Sequence, residues 1–124
     1  MEMTLRFEIF PPDLDAAVDF YTRVLGFSLT RDQRGDPVAY VAMQRGGVRV
    51  GAARRAGPDA QPARRPPTGV ELVLEVDDVA GERDRVAAAG WPLEEDLRDR
   101  PWGLTDFRIL DPAGYYLRIT SRAG

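Results

Sequence analysis

The sequence predicts an α+β fold built from two βαβββ modules within a single domain, residues 1–124. Three observations predict it. A chain of 124 residues that is 44% hydrophobic is long enough for one core and too apolar for disorder. Its second half repeats the punctuation of its first: Asp13 and Asp78 lie 65 positions apart, Gly26 and Gly90 64 apart. Each Asp-to-Gly interval carries apolar residues at helical spacing and follows an alternating run, so each half opens strand, then helix.

The elements follow in order. Leu5 to Phe10 alternates and reads as a strand, stopped by Pro11-Pro12. Asp13 caps a helix carrying Ala16, Ala17, Phe20, Tyr21, Val24 and Leu25, and Gly26 closes it. Phe27-Ser28-Leu29 restarts extended structure. Strands at Val38–Gln44 and Val48–Ala53 turn at Gly46-Gly47. In the second half Val70–Val76 is a strand and Asp77-Asp78 caps a helix with Val79, Arg83, Val86 and Ala87. Gly90 ends that helix, and Trp91-Pro92-Leu93 stands where Phe27-Ser28-Leu29 stood. Strands at Thr105–Leu110 and Tyr115–Thr120 turn at Pro112-Ala113-Gly114. Module one is about 1–53 and module two about 69–124. The Pro-, Arg-, Ala- and Gly-rich stretch of about 54–68 reads as an exposed linker.

Composition excludes whole chemistries. Without Cys there are no disulfides, thiolate nucleophiles or zinc–thiolate sites, and without His no Ser-His-Asp triad and no imidazole ligand. All 17 basic residues are Arg, which removes Schiff-base and Walker-type lysine chemistry. A net charge of −3 leaves no basic stripe for nucleic acid. The N-terminus lacks a basic segment followed by an apolar run, and no apolar run is long enough to span a bilayer. The expectation is a soluble, cytoplasmic protein with neither nucleic-acid nor membrane partners.

Asp13-Leu14-Asp15-Ala16-Ala17-Val18 leading to Phe20-Tyr21-Thr22-Arg23-Val24-Leu25-Gly26-Phe27, then Val76-Asp77-Asp78-Val79, Pro101-Trp102-Gly103 and Asp111-Pro112-Ala113-Gly114-Tyr115, are the identifying stretches. Over nearly the whole chain they resemble the vicinal oxygen chelate superfamily, the glyoxalase/bleomycin resistance protein/extradiol dioxygenase group. The Phe-Tyr to Leu-Gly-Phe stretch and the Asp-Pro-x-Gly turn are specific in combination. As core and turn residues they mark the fold and not the chemistry. The resemblance implies a cupped mixed sheet around a pocket. It also implies, in enzymatic members, metal ligands on the first and last strand of each module. Those positions fall here on Arg6, near Gly51, Glu71 and Arg118. Only Glu71 can ligate, and permanently cationic guanidiniums repel a divalent ion. No metal and no cofactor are therefore expected. Arg6, Glu71 and Arg118 either form an Arg–Glu–Arg cluster joining the modules or touch a ligand directly.

Period-2 alternation assigns the faces. With Arg6, Glu71 and Arg118 in the cup go Glu8, Phe10, Val73, Glu75, Tyr116 and Thr120. The opposite faces, Leu5, Phe7, Ile9, Leu72, Leu74, Val76, Leu117 and Ile119, are apolar, as a helix-covered surface requires. Tyr40 and Met43 alternate, so only one lines the cup; Phe107 is core, and Trp91 is structural like Phe27. Trp102 either packs at the rim or stacks on a planar ligand.

Three functions compete. The resemblance to small, metal-free members implies a homodimeric protein that binds an aromatic antibiotic or natural product and confers resistance by sequestration. The ligand-binding residues are then Arg6, Glu8, Phe10, Glu71, Trp102 and Arg118, with no catalytic residue. The alternative is a metal-independent enzyme of isomerase, lyase or cyclase type using Glu8, Glu71 or Glu75. The third is a binding module for an ordinary metabolite.

Overall fold

The computed structural model describes residues 1–37, 39–54 and 67–122. The chain divides into two compact units, Met1–Arg65 and Pro66–Gly124. Most of the expected linker, and Val38 at the start of one expected strand, lie outside the described residues.

The first unit runs β1 (Arg6–Ile9), α1 (Leu14–Asp19), a π-helical turn (Phe20–Val24), β2 (Ser28–Gln33), β3 (Tyr40–Arg45) and β4 (Val48–Ala53). Its sheet has the order β1-β4-β3-β2, with β1 parallel to β4 and the other pairs antiparallel. Asp13 caps α1 as expected, its Oδ1 accepting from the Ala16 amide at 3.0 Å. The helix does not stay α-helical to Gly26. The Thr22 hydroxyl donates to the Val18 carbonyl at 2.6 Å, and the Leu25 amide reaches back five residues to Phe20. This wider turn lets Phe20, Tyr21 and Val24 all be buried. Tyr21 then meets Phe20 and Phe27 edge-on, at centroid distances of 5.0 and 5.6 Å.

Val41, Met43, Val50, Ala52 and Ile9 form the buried face beneath α1. The register pairs Glu8 with Gly51 and Gly51 with Ala42, which puts Arg6, Glu8, Tyr40 and Gly51 on the other face. Tyr40, not Met43, thus shares the face of Glu8. Leu5 precedes β1 and is exposed rather than helix-covered.

The second unit repeats the plan: β5 (Leu72–Val76), α2 (Val79–Ala88), β6 (Glu95–Asp99), β7 (Thr105–Leu110) and β8 (Tyr116–Ser121), ordered β5-β8-β7-β6. Asp78 Oδ1 accepts from the Gly81 amide at 2.9 Å. Gly26 and Gly90 end the two helices at φ 74° and 78°, a conformation L residues with a Cβ rarely adopt. Phe107, Ile109, Leu117, Ile119 and Val86 make the core. Leu72, Leu74 and Val76 are only half-buried, because α2 lies mainly over β6, β7 and β8. The strand implied after Trp91 begins at Glu95, while the Trp91 indole N–H donates to the Leu110 carbonyl at 2.8 Å. That bond fixes Trp91 as structural.

Two hairpins share one turn design. In Asp111-Pro112-Ala113-Gly114 the Gly114 amide bonds to Asp111 O at 3.0 Å and the Asp111 amide to Tyr115 O at 2.9 Å. In Arg100-Pro101-Trp102-Gly103 the matching bonds are 3.0 and 2.8 Å, with Leu104 in the place of Tyr115. Pro presets the first turn position, and Gly takes the positive φ of 93° that closes each loop. Trp102 therefore sits at a hairpin tip.

Candidate functional site

The polar face of the second sheet is built by register. Arg118 on β8 stands opposite Arg108 on β7 and Val73 on β5, and Arg108 stands opposite Glu95 on β6. Alternation then sets Asp106, Arg108, Tyr116, Arg118 and Thr120 on one face, with the apolar core residues behind them. Four guanidiniums and three carboxylates interlock there, with Arg98 Nη1 3.6 Å from Glu95 Oε1 at the β6 edge. Arg118 Nη1 lies 3.2 Å from Glu71 Oε2, and Arg108 Nη1 lies 3.6 Å from Glu71 Oε1. Arg108 further approaches Glu95 at 3.2 Å and Asp106 at 3.5 Å. Arg100 bridges Glu95 at 3.0 Å and Asp106 at 2.8 Å.

Burial is graded across this network. The side chains of Asp106 and Arg100 are 1% and 9% exposed, and that of Arg118 is 26% exposed. The Tyr116 hydroxyl accepts from Arg108 Nη1 at 3.3 Å, and the Arg108 guanidinium lies 6.0 Å from the Tyr116 ring centroid. Tyr116 first, and then Asp106, hold the Arg108 guanidinium even more firmly protonated than usual. One N–H group remains unsatisfied: Nε of Arg118 is buried with no hydrogen-bond partner among the described residues, while the buried Arg108 Nε lies 3.2 Å from Glu95 Oε2. The face offers guanidinium donors, a phenol and carboxylate acceptors.

On the first sheet, Glu8 Oε1 pairs with Arg6 Nε at 2.9 Å and accepts from the Tyr40 hydroxyl at 3.3 Å. Glu8 crosses β4 to reach Tyr40, and it can do so because position 51 is glycine. A Cβ there would collide with the Glu8 carboxylate and the Tyr40 hydroxyl. Burial, and next the negative charge of Glu8, push the Tyr40 phenol above its ordinary pKa.

Each expected site residue can now be placed. Arg6 is 55% exposed and pairs with Glu8, while Glu71 pairs with Arg108 and Arg118, so both have partners inside their own unit. Phe10 is half-buried just beyond the end of β1. Trp102 is 57% exposed. Sequence reasoning missed Glu95, Arg100, Asp106 and Arg108. For Asp106 and Arg108 the signal was present, since they alternate with Phe107 and Ile109 just as Tyr116 and Arg118 alternate with Leu117 and Ile119.

The residues at the ligand positions that the resemblance implies do not fit a metal ion. Of Arg6, Gly51, Glu71 and Arg118, only Glu71 carries a donor, and it is engaged by two guanidiniums. The space beside Gly51 is taken by Glu8 and Tyr40. Among the described residues no group of three or more His, Cys, Asp or Glu side chains is arranged to hold a metal ion.

Two βαβββ units with this strand order define a glyoxalase-like protein. The model of the Glyoxalase/Bleomycin resistance protein/Dioxygenase superfamily matches residues 4–119, and the chain belongs to that superfamily. Among solved structures it is similar to TioX from Micromonospora sp. ML1, with 28% identity over 98% of this chain and 100% of that one, at a TM-score of 0.80. Lactoylglutathione lyase from Agrobacterium tumefaciens shares the fold at 23% identity and a TM-score of 0.72, over 98% of this chain and 94% of that one. A superfamily member from Sphaerobacter thermophilus does so at 22% and 0.75, with 98% of each chain covered. No curated protein matches the chain by sequence.

Proposed function

We propose that this protein binds a planar aromatic small molecule without altering it, and that it confers resistance by sequestering such a compound. What supports the reading is that the positions which the resemblance marks for metal ligands carry other side chains. Guanidiniums at Arg6 and Arg118 and an ion-paired Glu71 stand where an enzymatic member needs several free ligands. The indole of Trp102, exposed at the tip of the β6–β7 hairpin, supplies a stacking surface. On the first unit's own sheet, Arg6, Glu8 and Phe10 are the candidate ligand contacts. The superfamily's own name includes bleomycin resistance protein.

The protein acts in the cytoplasm as a homodimer, with the exposed apolar side chains of Met3, Leu5, Val70 and Val73 available for burial against a second copy. Native mass spectrometry of the purified protein tests the reading. An aromatic ligand carried through purification and released unchanged supports it. A ligand converted in proportion to protein and time replaces it with the metal-independent enzyme using Glu8 or Glu71. A non-aromatic metabolite replaces it with an ordinary binding module.

A further inference from the structure

We propose that the Glu8 carboxylate accepts a hydrogen bond from an uncharged hydroxyl on the ring of an aromatic ligand. The proposal rests on the binding function above and names the group that the first unit recognises.

The carboxylate is engaged through one of its oxygens. Arg6 Nε, at 2.9 Å, and the Tyr40 hydroxyl, at 3.3 Å, both meet Oε1. Oε2 has no hydrogen-bond partner among the described residues, although an ionised carboxylate offers about four lone-pair sites. The side chain is 32% exposed, so an incoming group can reach that oxygen. A notch in the sheet fixes where Oε2 stands. It fills the space that a Cβ at position 51 would take, with the Tyr40 hydroxyl beside it. Strand β4 is an interior strand, bonded to β1 and β3, where glycine weakens the sheet. In return, Gly51 lets a carboxylate oxygen and a phenol oxygen lie together on the sheet surface, both presenting lone pairs.

Charge decides which donor fits. Register places Arg6, Arg31 and Arg49 on the face of Glu8, while Asp32 of β2 lies on the opposite face with Val41. Glu8 is thus the only carboxylate that the described residues of these strands bring to this face. An ammonium group would meet the three guanidiniums of Arg6, Arg31 and Arg49. A carboxylate would be repelled by Glu8 and would find no donor at Oε2. An uncharged hydroxyl meets neither penalty. Its bond to an ionised oxygen is charge-assisted, roughly twice as strong as one between neutral groups.

The test uses three probes with one ring system: naphthol, with a hydroxyl; naphthalene, with no polar group; and naphthylmethylammonium, a cation. Calorimetric titration of the parent protein should show naphthol binding about tenfold or more tighter than either other probe. Its advantage over naphthalene should be the same at low and high salt. Glu8→Ala should erase that advantage, and Gly51→Ala, which displaces the carboxylate without removing it, should reduce it. In the parent protein the Glu8 carboxylate carbon resonance should shift on adding naphthol and not on adding naphthalene, a readout independent of whether the variants fold. Equal affinity for naphthol and naphthalene, or an advantage that survives Glu8→Ala, overturns the proposal but leaves aromatic binding standing. Tightest and salt-sensitive binding of the ammonium overturns it in favour of a cation site. If none of the three binds the parent, the stacking function fails and this proposal with it.

Discussion

Replacing Asp106 with Ala removes the most deeply buried charge of the second unit. Its carboxylate is held by Arg100 Nε at 2.9 Å and Nη2 at 2.8 Å, with Arg108 Nη2 at 3.5 Å. Breaking a buried ion pair from one side costs about 3–5 kcal/mol, because the partner charge is left unpaired in a poorly solvated site. Here Arg100 keeps Glu95, and Arg108 keeps Glu71, Glu95 and Tyr116. The loss should therefore fall near the lower end, about 3 kcal/mol. For a chain of this length each kcal/mol moves the melting temperature by about 4 °C, so the variant should melt about 12 °C lower.

Thermal unfolding followed by circular dichroism measures this. Asp106→Asn, which keeps the shape and one acceptor oxygen, should fall between parent and Ala. High salt should not close the gap between parent and variant, since screening reaches buried pairs poorly. Asp19→Ala is the control. Its pair with Arg23 at 3.0 Å is exposed on both sides, and its loss should barely move the melt. A drop of less than about 4 °C for Asp106→Ala would mean the pair behaves like a surface pair, and the burial argument would be refuted.

Three other outcomes are expected. Trp102→Ala should weaken aromatic binding by about 1–3 kcal/mol in a fluorescence or calorimetric titration while leaving the melting temperature unchanged, as the indole sits at an exposed hairpin tip; unchanged binding would return Trp102 to a structural role. Gly51→Ala should push Glu8 away from Tyr40 and lower the phenol's pKa toward its ordinary value in a spectrophotometric titration, and an unmoved tyrosine titration would show that burial alone raises it. Arg83, first, and the Leu97 amide lower the Asp96 carboxyl from 3.8 to about 2, so the folded protein binds that proton more weakly than the unfolded chain. The stabilisation is present above pH 3.8 and lost as pH falls toward about 2, so the melting difference between parent and Asp96→Asn should fade across that window. A difference that persists undiminished at the acid end would assign it to something other than charge.

What the sequence made legible depended on how local the cause was. Asp13 and Asp78 are caps whose partners lie three residues away, and Pro-x-Gly turns close within five, so both were readable. The strands Val48–Ala53 and Thr105–Leu110 stand where their alternation put them. The π-helical turn was not readable, since it arises from Thr22 displacing a backbone bond rather than from any change in apolar spacing. Strand β6, Glu-Asp-Leu-Arg-Asp, is a charged edge strand with no apolar alternation to announce it. Its Glu95 and the following Arg100 were missed for that reason. The meeting of Glu8 with Tyr40, 32 positions away, needs the register of three strands and the missing side chain at Gly51.

The ion network poses a problem that stability does not solve. Buried charge arrays are commonly no more stabilising than apolar residues of the same volume, because desolvation offsets the Coulombic gain. The rear face of the same strands shows the cheaper solution, with Phe107, Ile109, Leu117 and Ile119 packed beneath α2. The front face instead carries Asp106, Arg108, Tyr116 and Arg118 and leaves the Arg118 Nε–H unsatisfied. A sequence selected only to fold loses nothing by making that face apolar. The pattern makes physical sense if the unsatisfied donor is met by a second molecule, since it then costs stability in the free protein and contributes affinity in the complex. An apolar replacement of the paired groups, Arg100→Met with Asp106→Leu, separates the two roles: it should leave the fold as stable as the parent or more so, while weakening binding of a polar aromatic ligand. Loss of stability comparable to that of Asp106→Ala alone would show instead that the network is there to hold the sheet.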